Sequence, residues 1–338
     1  MSELAARRPS LSTDRLLEDL VPPPHFAQVS FESYRPDPEQ PSQEAAVATL
    51  RSFGASMSEG RRSNSGFLGW LRRRDGTPAA RPGVYLDGGF GVGKTHLLAS
   101  LWHAVPGPKS FGTFVEYTNL VGELGFRETV QVLSANQLVC IDEFELDDPG
   151  DTVLMARLLR ELVDAGVRLA ATSNTLPDAL GEGRFAADDF VREIQAVSAH
   201  FDLVRIDGDD YRHRGLPVPP RPLSDADVER HAASTPGAVL DDFDRLTRHL
   251  ADLHPSRYGV LLDGVTTVCW RGVKQVEDQS VALRLVVLAD RMYDRELPLV
   301  ASGEPLDKVF TDEMLAGGYR KKYRRALSRL TALARTER

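Results

Sequence analysis

The chain has 338 residues, which at about 150 residues per domain leaves room for two domains or for one domain with large appendages. Its hydrophobic fraction of 42% and charged fraction of 27% are ordinary for a globular protein and exclude a wholly disordered chain. The net charge of -8 argues against a general nucleic-acid coat, although it leaves room for a local basic groove.

The compartment can be inferred from cysteine use and from hydropathy. Two cysteines, Cys140 and Cys269, in a chain of this size indicate a reducing compartment without a disulfide framework. No apolar stretch approaches the roughly 20 residues that a membrane-spanning helix needs. The amino terminus lacks the apolar core of a secretory signal. We therefore expect a cytoplasmic protein with no integral membrane segment.

The first quarter of the chain is irregular in composition. Residues 1–41 are rich in proline and in charges of both signs, which predicts an N-terminal extension that wraps over a larger body. Ser42 is a typical helix-capping residue and predicts a helix that ends near Phe53. Residues 54–82 are mostly polar around one apolar island, which favours an exposed insertion.

From residue 83 onward, short apolar runs alternate with amphipathic segments. This alternation predicts a parallel sheet with helices on both faces, within a core domain that spans 42–216. The predicted strands are 84–86, 114–117, 138–141, 168–172 and 203–206. The predicted helices between them are 94–104, 119–133 and 151–165.

The remainder, over 217–338, predicts a smaller C-terminal α/β region behind a stiff proline-rich linker at 217–222. Its predicted helices are 238–253, 278–294 and 319–334, and its predicted strands are 258–262, 267–270 and 297–301. The last helix is strongly basic. A solvated helix face with a buried leucine stripe is favoured there over a surface for nucleic acid, acidic lipid or an acidic tail.

Residues 88–95 read GGFGVGKT and fit the phosphate-loop (Walker A) pattern G-x-x-x-x-G-K-[ST]. The glycines let the backbone curl so that successive N–H groups point inward, and the following helix adds the partial positive charge of its N-terminus. Lys94 can then reach the β- and γ-phosphates, while the Thr95 hydroxyl binds magnesium. The predicted nucleotide-binding residues are Gly88, Gly89, Phe90, Gly91, Val92, Gly93, Lys94, Thr95 and His96.

Two acids, Asp142 and Glu143, follow the apolar run at 138–141. They emerge at the carboxyl end of a buried strand, where open α/β sheets bind their ligands. We expect Asp142 to hold Mg²⁺ through a water molecule and Glu143 to polarise the water that attacks the γ-phosphate. The acids at 145, 147 and 148 are better explained as turn and capping residues than as metal ligands.

Further candidates come from the next strand and from the loop behind it. Asn174 ends that strand, beside the strand that carries the acids, and its amide can both donate and accept hydrogen bonds near the γ-phosphate. Arg184 follows in an exposed Gly-Glu-Gly context, where it can reach a neighbouring subunit's nucleotide as an arginine finger. Arg192 and Arg212 are the alternative fingers.

Several segments, in order, resemble the ZapE/AFG-one-like ATPase family of the AAA+ superfamily. They read GGFGVGKTHLL, LVCIDEFELDD, ATSNTLPDAL, the RF pair and DYRHR. Three flanking segments resemble the family too, namely YRPDPEQPSQEAAVATL, LADRMYDRELPLVAS and YRRALSRLTALA. The resemblance therefore extends over most of the chain, and the DEF and SN-x-x-P segments are far more specific than the phosphate loop alone.

The resemblance implies a P-loop NTPase fold of the AAA+ type, with the smaller C-terminal α/β region completing it. It implies catalytic roles for Lys94 and Glu143, a first sensor at Asn174 and a finger at Arg184. Arg329 is a weaker second sensor, and Gln43 lies near the adenine. The implied activity is Mg²⁺-dependent hydrolysis of ATP to ADP and phosphate at the subunit interfaces of a ring or partial ring. Protein partners are implied, with division-ring proteins for the bacterial branch.

Two other functions remain open at this point. The segment FVEYTNL at 114–120 departs from the family pattern and is closer to helicase loaders, which act on a replication protein or on single-stranded DNA. Nucleic acid is nevertheless the less favoured partner, because the chain is acidic. A non-enzymatic scaffold that uses ATP only for assembly is the third hypothesis, and the intact pair Asp142–Glu143 speaks against it.

Overall fold

The computed structural model describes residues 2–9, 12–63, 81–89, 91–144, 149–173, 191–208 and 219–335. The chain divides into two compact units. We call Leu16–Pro22 with Phe26–His213 the P-loop unit, and Met1–Arg15 with Pro23–His25 and Arg214–Arg338 the C-terminal unit. The predicted extension over 1–41 is therefore divided between the two units.

The P-loop unit is built on one parallel sheet of five strands. The strands are β1 (Gly83–Gly88), β2 (Lys109–Thr113), β3 (Leu138–Asp142), β4 (Arg168–Ser173) and β5 (Phe201–Ile206). Their spatial order is β2-β3-β4-β1-β5, so β1 lies between β4 and β5 and is buried along its whole length. Its alternate residues enter two cores: Val84 and Leu86 face one, and Tyr85 faces the other.

Helices cover this sheet. The first α-helix among the described residues is α1 (Thr13–Glu18). The others up to β5 are α2 (Pro41–Ser63), α3 (Lys94–Ala104), α4 (Phe114–Leu124), α5 (Phe126–Leu133), α6 (Pro149–Asp164) and α7 (Val191–Ser198). Helix α3 packs its leucines into the core that also holds Val84 and Leu86, whereas α4, α5 and α6 pack against the core that holds Tyr85. The described helices therefore lie on both faces, as the alternation predicts.

The predicted strand at 114–117 is wrong, because this segment begins α4. The strand is the preceding segment, β2. Thr113 caps the helix in a reciprocal capping box: its hydroxyl accepts from the Glu116 amide at 3.3 Å, and the Glu116 carboxylate accepts from the Thr113 amide at 2.6 Å. Two orphan amides are satisfied in this way, which outweighs the strand preference of Phe114 and Tyr117. Gly125, at φ 81°, then separates α4 from α5.

Helix α2 also differs from the prediction, since it continues ten residues beyond Phe53 to Ser63. Gly54, where the helix was expected to stop, is buried against α3. A Cβ at this position would lie 3.2 Å from Leu101 Cδ1, so the glycine allows close approach of the two helices. The first part of the predicted insertion at 54–82 is therefore helical, and 64–80 lie outside the described residues.

The C-terminal unit has its own parallel sheet of three strands, in the order β6-β7-β8. The strands are β6 (Ala238–Asp242), β7 (Thr267–Val273) and β8 (Leu299–Gly303). The helices are α8 (Asp225–Ser234), α9 (Phe243–Asp252), α10 (Tyr258–Leu261), α11 (Gln279–Asp294), α12 (Asp312–Ala316) and α13 (Arg320–Arg335). Leucines of α9, α11 and α13 share one core with Trp270 of β7.

Two predictions for this unit need correction. The predicted helix 238–253 is a strand followed by a helix, because Asp242 ends β6 and caps α9 by accepting from the Arg245 amide at 3.1 Å. The predicted strand 258–262 is the short helix α10. Its Tyr258 hydroxyl is buried and donates to the carbonyl oxygen of Leu250 at 2.9 Å, which anchors this turn to α9.

The first residues of the chain belong to the C-terminal unit, where they pair with β6. The amide of Leu240 donates to the carbonyl oxygen of Ser2 at 3.0 Å. The Asp241 carboxylate accepts from the amides of Leu4 and Ala5 at 3.0 and 2.8 Å. Leu4 is completely buried in the core of this unit. In neither unit do the described residues include a helix that is both long and apolar enough to cross a bilayer.

Candidate nucleotide-binding site

The phosphate loop lies between β1 and α3, as its pattern predicts. Gly91 and Gly93 have φ angles of 84° and 87°, which side-chain-bearing residues rarely adopt. Space also requires glycine here, since a Cβ on Gly88 would collide with the carbonyl oxygen of Ile206. A Cβ on Gly93 would lie 2.6 Å from Tyr34 Cε2. Strand β5 and Tyr34 therefore pack tightly against the phosphate loop.

Lys94 is buried at the start of α3. Its ammonium donates to the carbonyl oxygens of Gly88 and Gly89 at 2.9 and 2.6 Å. These bonds hold the cation inside the curve of the loop, where its charge is available to an anion that the loop amides bind. The position agrees with the role that the pattern assigns to this lysine.

Tyr34 is a loop contact that the sequence analysis missed. Its hydroxyl donates to the carbonyl oxygen of Val92 at 2.8 Å, and its ring meets the ring of His96 edge-on at 5.6 Å. His96 also lies 2.9 Å from the Ser33 hydroxyl. Among its described contacts, His96 thus faces the segment around Tyr34. The only sequence signal was that Tyr34 lies in a segment that resembles the family.

Gln43 lies beside the phosphate loop, and both the nitrogen and the oxygen of its side-chain amide form hydrogen bonds. Its Nε2 donates to the carbonyl oxygen of Asp207 at 2.8 Å, and its Oε1 accepts from the Asp37 amide at 2.9 Å. A Cβ on Gly208 would contact both Gln43 and Val92. The residue therefore joins the start of α2 to the end of β5 next to the loop, and its adenine contact stays a prediction.

Asp142 and Thr95 meet at the carboxyl edge of the sheet. The Thr95 hydroxyl lies 3.0 and 3.2 Å from the two carboxylate oxygens of Asp142, and the Thr172 hydroxyl of β4 donates to the same carboxylate. Burial and, after it, the neighbouring Glu143 carboxylate raise the pKa of Asp142 to about 6, although the hydrogen bonds from the Thr172 and Thr95 hydroxyls lower it in part. A carboxylate that is this costly to ionise is stabilised by a nearby cation.

Glu143 turns the chain away from the strand. Its φ of 53° is unusual for a residue with a side chain, and its amide donates to the Thr172 hydroxyl at 3.1 Å. The next amide, that of Phe144, donates to the carbonyl oxygen of Thr172 at 2.7 Å. The completely buried Phe144 ring packs edge-on against Phe114 at 5.3 Å. This turn inserts Phe144 into the core while Glu143 stays partly exposed at the sheet edge.

Thr172 is the second residue that sequence reasoning missed as a functional group. Its hydroxyl donates to Asp142 and accepts from the amide of Glu143, so one side chain contacts both members of the acid pair. The contact depends on the pairing of β3 with β4, in which Ile141 lies opposite Ala171. A threonine that precedes Asn174 by two residues was visible in the sequence, but its register against Asp142 was not.

Asp87 lies directly before the loop and is 4% exposed. In the sheet it lies opposite Ser173 of β4 and Arg205 of β5. The Arg205 guanidinium donates to its carboxylate at 2.7 Å, and the pKa of Arg205 is raised by its bonds to Asp207 and Asp87. The unusual acid noted in the sequence is therefore paired with a cation on the edge strand.

The structure does not describe several predicted site residues. Phe90, Asn174, Arg184 and Arg212 lie outside the described residues, and Arg192 belongs to α7. Their roles stay predictions.

Arg329 is described, in the C-terminal unit. Its guanidinium pairs with Asp290 at 2.5 Å and lies 5.2 Å above the Tyr293 ring. Arg325 pairs with the same carboxylate at 2.7 Å, and the two guanidinium groups lower the pKa of Asp290 despite its burial. Arg329 thus stabilises its own unit, and its second-sensor role stays a prediction.

The residues present fit a triphosphate and Mg²⁺. The donor set next to Lys94 is a hydroxyl and a carboxylate, Thr95 and Asp142, which are the oxygen ligands that Mg²⁺ prefers. Thr95 belongs to the first turn of α3, whose N-terminus is a favourable place for a phosphate.

Comparison with known proteins identifies the family. The profile of the AFG1-like ATPase family matches residues 10–233 and 218–338. The chain belongs to the AFG1-like ATPase family. The resemblance that the sequence motifs indicated is therefore confirmed. The fold class is confirmed as well, since this AFG1-like ATPase has the parallel sheet, phosphate loop and covering helices of a P-loop protein together with a second, smaller α/β unit.

Similar proteins include the cell division protein ZapE of Escherichia coli K12, which is 27% identical over 312 residues. That match covers 79% of this chain and 82% of ZapE. AMPPCP-bound DnaA from Aquifex aeolicus is similar with a TM-score of 0.39 and 14% identity, over 54% of this chain and 51% of that chain. The DnaC helicase loader is similar with a TM-score of 0.36 and 15% identity, over 54% and 99% of the two chains.

Proposed function

We propose that this AFG1-like ATPase hydrolyses ATP to ADP and phosphate in a Mg²⁺-dependent reaction. The observation that carries the proposal is the hydrogen-bonded group Thr95–Asp142–Thr172 beside the phosphate loop. It joins the first turn of α3 to the ends of β3 and β4, the edge at which a parallel sheet binds its ligand. The buried carboxylate and the buried Lys94 supply one negative and one positive group for the metal and the phosphates.

Each residue of the site has a separate role in the proposed hydrolysis of ATP. The Lys94 ammonium exchanges its bonds to the loop carbonyls for bonds to the β- and γ-phosphate oxygens. Thr95 and Asp142 would hold Mg²⁺, which would supply positive charge next to those oxygens. Glu143 orients a water molecule for in-line attack on the γ-phosphorus and accepts its proton. Asn174, the residue that follows β4 in the sequence, contacts the γ-phosphate as a sensor.

Hydrolysis takes place between subunits in this proposal. Arg184 enters the site of a neighbouring copy and stabilises the charge of the transition state, as arginine fingers do when they are supplied in trans. The chain then works as a ring or partial ring. Its hydrolytic cycle drives the remodelling or regulation of a protein partner in the cytoplasm. The E. coli relative ZapE is a cell division protein, which supports a division-ring protein as that partner.

Glu143→Gln tests the hydrolytic function. This change keeps the shape of the side chain but removes the base, so phosphate release should fall by about 10²-fold or more while ATP binding is retained. Lys94→Ala should instead abolish binding, because the phosphates lose their cation. Glu128→Gln, an exposed position on α5, is the matched control and should leave both properties unchanged.

The same Glu143→Gln protein, held with ATP, serves to capture the partner. Enrichment of a division-ring protein supports the proposed target. Stimulation of the wild-type ATPase by single-stranded DNA, with a steep dependence on salt, would support the helicase-loader function instead. If the wild-type chain binds ATP and assembles but releases no phosphate, the scaffold function replaces the enzymatic one.

A further inference from the structure

A polar cavity of about 500 Å³ opens in the C-terminal unit, at the ends of α11, α12 and α13. Its volume falls within the range of small-ligand sites. All the residues that line it belong to this unit, and none of them comes from the phosphate loop. Met314 and Tyr323 are its buried residues, and Tyr319 is half-buried beside them.

The charged lining of the cavity is acidic. Glu277 and Glu313 contribute carboxylates from two different segments, and both side chains are exposed. The lining includes no lysine or arginine within the described part of the chain. Two side chains already accept from helix N-terminal amides next to the cavity, since Asp278 caps α11 and Thr311 caps α12. The electrostatics therefore favour a cation over an anion.

Tyr323 adds an observation of a different kind. The residue is 1% exposed and its buried hydroxyl has no hydrogen-bond partner among the described residues. A buried hydroxyl without a partner costs about 1–3 kcal/mol. Burial and the nearby Tyr319 raise the pKa of the Tyr323 phenol, so the group stays neutral and can accept an N–H donor. The native protein carries this cost beside a cavity whose charged lining is acidic.

We propose that this cavity binds the side chain of an arginine or lysine from a protein partner. The Glu277 and Glu313 carboxylates pair with the cation, and the Tyr323 hydroxyl accepts one of its N–H donors. The aromatic ring of Tyr319 supplies a further surface of the kind that attracts cations; Lys322 of the same helix already lies 5.5 Å from its centre. Gly318 at the rim is exposed with open space around it, so a peptide backbone can approach closely.

The test uses the full chain and two matched probes. N-acetyl-argininamide carries the cation, and N-acetyl-citrullinamide is its neutral isostere. Binding is followed by NMR of the methionine methyl groups, with Met314 assigned by substitution. We expect the arginine probe to shift the Met314 methyl with a Kd of about 1 mM, as suits a single side chain. The citrulline probe should bind at least about 10-fold more weakly, because it cannot form charge-assisted bonds.

Variants of the chain separate a ligand site from a structural feature. Glu313→Gln should weaken the arginine probe by about 3- to 10-fold, whereas Glu304→Gln, at an exposed position outside the cavity, should not. Tyr323→Phe should also weaken the probe while leaving the melting temperature unchanged or raising it, because it removes an unpaired buried hydroxyl.

Three results would overturn the proposal. The first is equal binding of the two probes, and the second is the absence of any shift at Met314 up to high probe concentration. The third is a loss of stability in Tyr323→Phe, since that would show that the hydroxyl has a partner within the fold.

Discussion

Thr172 connects the two acids of the site more directly than any other described side chain. Its hydroxyl donates to the carboxylate of Asp142 and accepts from the amide of Glu143. Thr172→Val preserves the shape but removes both bonds, so Asp142 and Glu143 should lose their fixed orientation. We expect the turnover number to fall by about 10- to 100-fold, with a raised Mg²⁺ requirement, as for other residues that orient metal ligands. Phosphate release titrated with Mg²⁺ measures both effects.

Two further variants show whether the loss of activity comes from the Thr172 hydroxyl itself. Thr172→Ser keeps the hydroxyl and should restore most of the activity. Thr129→Val removes a buried hydroxyl that donates to the carbonyl oxygen of Gly125 at 2.9 Å in α5. It should cost stability without changing the Mg²⁺ dependence. If Thr172→Val and Thr129→Val behave alike, Thr172 has only a packing role.

At the scale of elements, the pairing of residues 2–5 with β6 buries the carboxylate of Asp241. Asp241 is 1% exposed and accepts from the amides of Leu4 and Ala5. Burial raises its pKa from 3.8 to about 6, and the two amide bonds oppose this shift only in part. The folded state therefore binds the proton more tightly than the unfolded chain does. The stability that protonation supplies is complete below pH 3.8 and is lost as the pH rises through about 6.

Asp241→Asn removes this titration. The variant loses one acceptor oxygen, so its free energy of unfolding should differ from that of the wild type at every pH. The difference itself should change with pH, because the wild type should lose roughly 2 kcal/mol relative to the variant between pH 4 and pH 6.5. Urea unfolding followed by circular dichroism across this range measures the effect. A constant difference would show that Asp241 titrates alike in the folded and unfolded states.

At the scale of the whole molecule, the proposed ring makes the active site a shared property of two copies. Arg184→Ala lacks the finger but keeps Glu143, and Glu143→Gln lacks the base but keeps Arg184. Arg184→Ala should lose at least about 10³-fold in turnover, and Glu143→Gln about 10²-fold or more, while both still bind ATP. Mixing them should restore part of the activity, because some interfaces then combine a wild-type base with a wild-type finger. Phosphate release against the mixing ratio measures this complementation.

Two results would contradict this prediction. Normal turnover by Arg184→Ala would remove the residue from the mechanism and leave Arg192 and Arg212 as candidates. Inactive mixtures of two inactive variants would show that Arg184 acts on the nucleotide of its own chain.

The chemistry of the site could be inferred from the sequence because it is encoded in short segments. The glycines at 88–93 need their φ angles and their small size whatever surrounds them, and Lys94 and Thr95 follow at a fixed distance along the chain. Asp142 and Glu143 were visible as acids at the end of an apolar run. The capping box between Thr113 and Glu116 also encodes the start of α4, but the aromatic residues there led to the wrong prediction of a strand.

Only the tertiary structure decided the contacts between distant segments. The register of β3 against β4 brings Thr172 to Asp142, and the path of the chain before α2 brings Tyr34 onto the loop. The pairing of residues 2–5 with β6 joins segments more than 230 positions apart. Local patterns encode backbone preference and the face that is buried, whereas register and long-range pairing depend on the packing of the complete chain. The sequence alone therefore predicted a nucleotide-binding site, and the fold decided which distant side chains contact its residues.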